Sequence, residues 1–205
     1  MDTRLGQVVI LNGAPRSGKS SIAAAIQRTF DGPWINLGVD ASIHATPERY
    51  RPGIGLRPGG ERPDLEPFVV AAYAAVYEAI AAHSRHGLSV VVDAGHHDSY
   101  SRPLGILSSC ARGLEGLPVL FVGVRCPIEV ILARRSNSEG YTIGHLDSTV
   151  PDPIRRWQDE VHRHGVYDLE VDTSLLTPDR CAEVIGRRLS EGPPGAAFHG
   201  LAHPD

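Results

Sequence analysis

Gly13-Ala14-Pro15-Arg16-Ser17-Gly18-Lys19-Ser20 is the stretch on which the fold turns. It fits the pattern GxxxxGK[ST]: glycines let a loop wrap phosphate oxygens with its backbone N–H groups, the lysine reaches the β- and γ-phosphates, and the last hydroxyl ligates a bridging Mg²⁺. The flanks fit the loop. Val8 to Leu11 is short, apolar and β-branched, as a buried parallel strand should be, and Ser20 to Phe30 is alanine-rich and helical in character. An ordinary glycine turn before a helix would give the same string, but strand, loop and helix in this order favour a phosphate cradle at a helix N-terminus. Gly13, Ala14, Pro15, Arg16, Ser17, Gly18, Lys19, Ser20 and Ser21 are therefore the candidate ATP-binding residues, with Lys19 also stabilising charge during catalysis and Ser20 a metal ligand. Of the 20 Lys and Arg residues, Lys19 alone is lysine. A biased genome exchanges the two on a surface, whereas a tight cradle needs one compact ammonium.

Outward from the loop, strand and helix signals alternate. Trp34 to Asp40 reads as a second strand ending on an acid, Ser89 to Asp93 as a third, Pro118 to Val124 as a fourth and Leu169 to Asp172 as a fifth. Helices are expected over Glu66 to His86, Ser101 to Leu114, Pro127 to Arg135, Asp152 to His164 and Pro178 to Leu189, with Gly87 stopping the first of these. Arg51 to Pro67, dense in Pro, Gly and Arg, reads as a long irregular loop of the kind that serves as a lid or binding loop. The pattern predicts one α/β domain over residues 1–190, a three-layer fold with a five-stranded parallel sheet flanked by helices. From Glu191 onward a disordered tail is expected.

In such sheets ligands bind beyond the carboxyl ends of the strands, so Asp40 and Asp93 should face the crevice that holds the phosphate loop. Asp93 closes an apolar run and is a candidate Mg²⁺ ligand, direct or through water; a helix or turn cap is its plainer reading. Asp40 could take the proton of an acceptor hydroxyl, or cap a helix.

At 205 residues the chain suits a single domain with a sizeable core. No apolar run reaches the length of a membrane span, and the start MDTRLGQVVILNG does not read as a signal peptide, so the expectation is a cytoplasmic protein. The net charge of −4 argues against general nucleic-acid binding. Cys110, Cys126 and Cys181, odd in number and widely spaced, suggest reduced core residues. A homo-oligomer is left open.

The segments Ile10-Leu11-Asn12-Gly13, Gly18-Lys19-Ser20, Leu37-Gly38-Val39-Asp40, Val122-Gly123-Val124-Arg125-Cys126, Val161-His162 and Gly165 to Thr173 (GVYDLEVDT) resemble, in the same order, those of chloramphenicol phosphotransferase. The resemblance spans residues 7 to about 190 and implies a P-loop kinase fold like that of nucleoside monophosphate and shikimate kinases. It also implies transfer of the γ-phosphate of ATP, with Mg²⁺, to a hydroxyl of an antibiotic-like small molecule. On this resemblance Asp40 falls on the catalytic base and Arg134 on an arginine that neutralises charge on the transferring phosphoryl group. Arg135 is the weaker candidate, since neighbours on a helix point about 100° apart. Residues 136–150 are polar and suit a lid. The chain departs from the family at Arg51 to Arg62 and at Ala94-Gly95-His96-His97-Asp98. Acceptor contact or a plain loop are the two readings for His96, His97 and Asp98, and adjacent histidines share one metal ion poorly. A kinase for another metabolite hydroxyl, or a nucleotide-binding regulatory protein, are the rival functions.

Overall fold

The computed structural model describes residues 4–39, 42, 45–51, 62–139 and 152–203. Five parallel strands lie in the order β2-β3-β1-β4-β5: β1 is Val8–Asn12, β2 Trp34–Asn36, β3 Ser89–Ala94, β4 Val119–Arg125 and β5 Leu169–Asp172. β1 runs down the centre with Val8 opposite both Val90 and Val119, and all five of its residues are buried. Apolar β-branched runs suit such strands because both faces are covered.

Alternation along each strand divides the core into two layers. Val9, Leu11, Val91, Leu120 and Val122 face α1 (Lys19–Thr29) and α6 (Pro178–Glu191). Val8, Ile10, Val90, Val92 and Phe121 face α2 (Glu66–Arg85) and α3 (Ile106–Gly113). Two further helices, α4 (Ile128–Glu139) and α5 (Asp152–Glu160), follow β4. The expected three-layer α/β architecture is thus the one observed. Cys110, Cys126 and Cys181 are free and buried, as their spacing suggested.

The expected tail is instead part of the core. Ala197–Gly200 forms a short helix, α7, and Phe198 has no solvent exposure. Its ring stacks on Tyr77 at 6.0 Å and meets Phe121 edge-on at 5.0 Å. Asp168 Oδ1 accepts from the N–H groups of Ala196 (2.7 Å) and Ala197 (2.9 Å), satisfying donors at the helix start. One aromatic and one distant carboxylate decide this segment, and its average polarity hides both. Burying a phenylalanine contributes about 1.5–3 kcal/mol.

Three boundaries also differ from expectation. β2 stops at Asn36, whose side-chain oxygen accepts from Gly38 N–H at 3.0 Å and turns the chain. α3 begins at Ile106 rather than Ser101, behind Pro103 and a left-handed Gly105. α5 ends at Glu160, where the chain tightens into turns: Arg163 N–H donates to the Glu160 carbonyl at 3.2 Å, and the Val161 carbonyl takes a hydrogen bond from the Asn12 amide at 2.9 Å.

Candidate active site

Beyond the carboxyl ends of the strands lies a cavity of about 740 Å³, walled by the phosphate loop, Asp93 to Gly95, Val39, Arg134, Trp157 and the turn after β5. The loop between β1 and α1 has little freedom. A Cβ on Gly13 would come within 2.6 Å of the Val124 carbonyl and 2.8 Å of Ser17 Oγ, and Gly18 is left-handed at φ 100°. Arg16 also has positive φ, 68°. The backbone is therefore pinned in a curled form, closed by the Ser17 N–H donating to the Ala14 carbonyl at 3.1 Å.

Lys19 lies almost fully buried at the start of α1. Its Nζ donates to the Ala14 carbonyl at 3.0 Å and sits 3.4 Å from Asp93 Oδ1. Ser20 Oγ donates to Asp93 Oδ2 at 2.5 Å. The predicted ammonium, hydroxyl and carboxylate thus meet at one point, brought together by the pairing of β1 with β3. Gly38 lets the chain leaving β2 join them: a Cβ there would approach that of Asp93 to 2.9 Å. Ser20 Oγ and Asp93 Oδ2 are two convergent oxygen donors, which suits Mg²⁺ taking the rest of its shell from phosphate and water. Among the described residues no group of three or more His, Cys, Asp or Glu side chains could hold a metal by itself.

Arg134 lines the cavity from α4. Its guanidinium donates to the carbonyls of Arg16 (3.3 Å) and Thr173 (2.8 Å), and to Thr173 Oγ1 (3.0 Å), which in turn donates to the Ser17 carbonyl at 2.6 Å. Arg134 and Thr173 therefore clamp the outside of the phosphate loop to the end of β5. Gly13, Pro15, Arg16, Gly18, Lys19, Ser20, Ser21, Asp93 and Arg134 all face the cavity, while Ala14 and Ser17 lie beneath the loop. Asp40, residues 52–61 of the arginine-rich loop and residues 140–150 of the expected lid lie outside the described residues, and so does the side chain of Arg135.

His96 lines a second cavity of about 260 Å³ with His97, Asp98 and His164. The residue is buried, 2.5 Å from the Tyr77 hydroxyl, and its backbone N–H donates to Asn12 Oδ1 at 2.8 Å. Burial pushes its pKa down to about 3, helped by His164 and His97. Asn12 is a hub beneath the loop. Its amide also reaches Tyr167 OH (3.0 Å) and His164 Nε2 (3.2 Å), while His162 Nδ1 lies 2.7 Å from that phenol. Burial, then Arg125, lowers His162 to about 3 and lowers His164 as well. Asp98 is raised, by burial and then by Glu160. The predicted site therefore omits Asn12, Thr173, Gly95 and Trp157. Thr173 stood within the GVYDLEVDT resemblance, Asn12 within ILNG and Gly95 within Ala94 to Asp98, where the chain departs from the family, but nothing local marks Trp157.

Residues 6–190 match the family described as chloramphenicol phosphotransferase-like protein. The chain belongs to the chloramphenicol phosphotransferase-like family. A Mycobacterium tuberculosis relative, provisionally named an O-phosphotransferase, is 27% identical over 210 residues, 96% of this chain and 88% of its own. Among solved structures, the M. tuberculosis APS kinase CysC, in complex with AMPPNP and APS, superposes with a TM-score of 0.60 at 17% identity over 92% of this chain and 99% of that one. Shikimate kinase from Acinetobacter baumannii, in complex with shikimate, gives 0.58 at 13% over 90% and 93%. Family and fold together make this a kinase-type phosphotransferase. No described helix is long and apolar enough to cross a membrane.

Proposed function

We propose that this family member transfers the γ-phosphoryl group of ATP to a hydroxyl of a small, antibiotic-like molecule, chloramphenicol among them. The observation that carries the reading is the convergence of Lys19, Ser20 and Asp93 at the mouth of the phosphate loop, inside a cavity that continues to both sides of it. The β4–β5 side, with Arg134, Thr173, Leu176 and Pro178, would take the nucleoside. The β2–β3 side, with Val39 and Gly95, would take the acceptor, because Asp40 follows Val39 directly in the chain.

Mg²⁺, held by Ser20 and Asp93, would neutralise charge on the β- and γ-phosphates. Backbone N–H groups of Gly18 and Lys19, at the start of α1, would bind and orient those phosphates, while those of Gly13 and Ser17 donate to the Ala94 and Ala14 carbonyls and hold the loop. Lys19 supplies a fixed ammonium where charge accumulates, and being already paired and buried it needs little reorganisation to do so. Arg134 adds a second cation and holds the loop in place. The acceptor oxygen attacks γ-phosphorus, the bond to the β–γ bridging oxygen breaks, and Asp40 takes the hydroxyl proton. The products are a phosphate ester and ADP. The reliance on ATP points to the cytoplasm.

The test is ATP consumption with and without chloramphenicol, followed by mass detection of the phosphorylated product. Asp40→Asn should leave ATP affinity nearly intact while cutting turnover by about 10²–10⁴-fold. Equal turnover in that variant removes Asp40 from catalysis, and absence of any phosphorylated product with a panel of hydroxyl compounds removes the reading.

A further inference from the structure

On the β2–β3 side the cavity is bounded by Val39, Ala94, Gly95 and Trp157, none of which is charged. Among the described residues, the charged groups facing the cavity, Arg16, Lys19, Asp93 and Arg134, belong to the phosphate loop or lie against it. Trp157 reaches this end from α5, far along the chain. Its ring meets His97 edge-on at 5.8 Å, and His97 stacks on Tyr100 at 4.4 Å, so the indole is braced by an aromatic row.

Two features make the indole more than packing. Its Nε1–H is shielded from bulk water and finds no hydrogen-bond acceptor among the described residues. A buried N–H without a partner costs about 1–3 kcal/mol, a cost that an oxygen of a bound molecule would relieve. Gly95 faces it. The backbone of Gly95 lies outside the left-handed region, so its missing side chain supplies space rather than conformational freedom. A Cβ there would stand 3.4 Å from the Gly13 carbonyl and 3.5 Å from Trp157 Nε1. The slot so preserved adjoins the first residue of the phosphate loop. Opposite it, Val39 also borders an apolar cleft of about 50 Å³ along α2, walled by Phe68, Val69, Tyr73 and Val76.

We propose that Trp157 determines acceptor specificity: its ring forms the wall for an apolar or planar part of the acceptor, and its Nε1–H binds an acceptor oxygen seated over Gly95. This rests on the phosphotransferase reading above and adds a preference to it. Acceptors that carry an apolar or aromatic group beside the hydroxyl are favoured over polyhydroxy acids.

The chain has two tryptophans, and Trp34 is buried against Phe30, so a Trp34→Phe background leaves the fluorescence lifetime to Trp157. Chloramphenicol, as the ring-bearing probe, should shorten that lifetime, and gluconate should not. In steady-state assays Trp157→Phe, which keeps a ring and loses the donor, should raise the KM for chloramphenicol about 10-fold, and Trp157→Ala about 100-fold, with the KM for ATP within about twofold of wild type. Trp157→Phe also covers the case in which the alanine variant does not fold. Transfer to chloramphenicol at wild-type KM by the Phe and Ala variants overturns the assignment and leaves the phosphotransferase reading standing. So does an equal rise in both KM values, which marks a purely structural role. If the wild type phosphorylates none of the panel, the phosphotransferase reading falls, and the lifetime titration still decides the wall: quenching by chloramphenicol supports it, and silence with both probes overturns it.

Discussion

The two ends of the cavity are made by different means. At the phosphate end almost every contact is to backbone or to a charged group: Ala14 and Arg16 offer carbonyls, Lys19 meets Asp93, and Thr173 and Arg134 lock the loop from outside. At the other end Val39, Gly95 and Trp157 offer apolar surface, an open slot and one unspent N–H. A triphosphate has one chemistry, so a short run of residues with a fixed backbone can bind it. An acceptor has whatever shape the chain selects, so its walls come from separate elements. On the function proposed above, the half that takes the nucleotide is held mainly by backbone contacts, and the half that takes the acceptor is assembled from separate elements.

The sharpest way to break this division is at Lys19. Replacing it with alanine should lower kcat by about 10²–10³-fold, the loss that follows from removing one group aimed at developing charge. Lys19→Arg should fall nearly as far, because a planar fork does not fit between the Ala14 carbonyl and Asp93. If the arginine variant retains full activity, the cradle is looser than these contacts imply. The next test sets one glycine against another. Gly13→Ala drives a methyl into the Val124 carbonyl at 2.6 Å, backbone that cannot move aside, and should destabilise by about 1–3 kcal/mol. For a chain of this size that lowers Tm by roughly 2–4 °C per kcal/mol. Gly95→Ala meets only ordinary contacts at 3.4 and 3.5 Å, so Tm should hold while the KM for the acceptor rises. Thermal unfolding and paired KM measurements on the two variants decide it. Equal Tm losses would erase the distinction between a glycine required by the fold and one required by the ligand.

The same division explains what could be read from the chain alone. The octapeptide at 13–20 is contiguous, and its flanking strand and helix follow from local apolar periodicity, so the phosphate end and the parallel sheet were legible. Asp93 was legible because it closes an apolar strand paired with β1. Trp157 was not, because on the amphipathic α5 it has the pattern of a core residue, and nothing in chain order places it against Gly95, 62 positions earlier. Phe198 escaped for a related reason: Tyr77 and Phe121, which bury it, come from α2 and β4. Boundaries failed where a single side chain took over a backbone bond, as Asn36 does at the end of β2, or where the chain tightened into turns, as it does beyond α5.

The smallest effect concerns what supports the acceptor wall. Val161, just beyond α5, and His96, next to Gly95, are tied to β1 through Asn12, and around that hub stand His96, His162 and His164, all held neutral in the fold with pKa values lowered mainly by burial. Their ordinary value is 6.5. Above it they are uncharged whether folded or unfolded, and stability is unaffected. As pH falls below it the unfolded chain binds protons that the folded chain refuses, so stability declines, flattening only near pH 3 for His96. Asp98, raised, works in the opposite sense, since the folded state takes up its proton more readily than the unfolded chain does. The interval from pH 6 to 5 lies below the ordinary histidine value and above the lowered value of about 3 for His96 and His162. Fully buried His96 alone should contribute about 1.4 kcal/mol per pH unit there, or roughly 3–6 °C in Tm. Thermal unfolding of wild type and His96→Gln between pH 7.5 and 4.5 measures this. The variant keeps an acceptor for Tyr77 and loses the titration, so its curve should be the flatter one. Parallel curves would show that His96 takes its proton without leaving Tyr77, and that the acceptor side is no more acid-labile than the phosphate side.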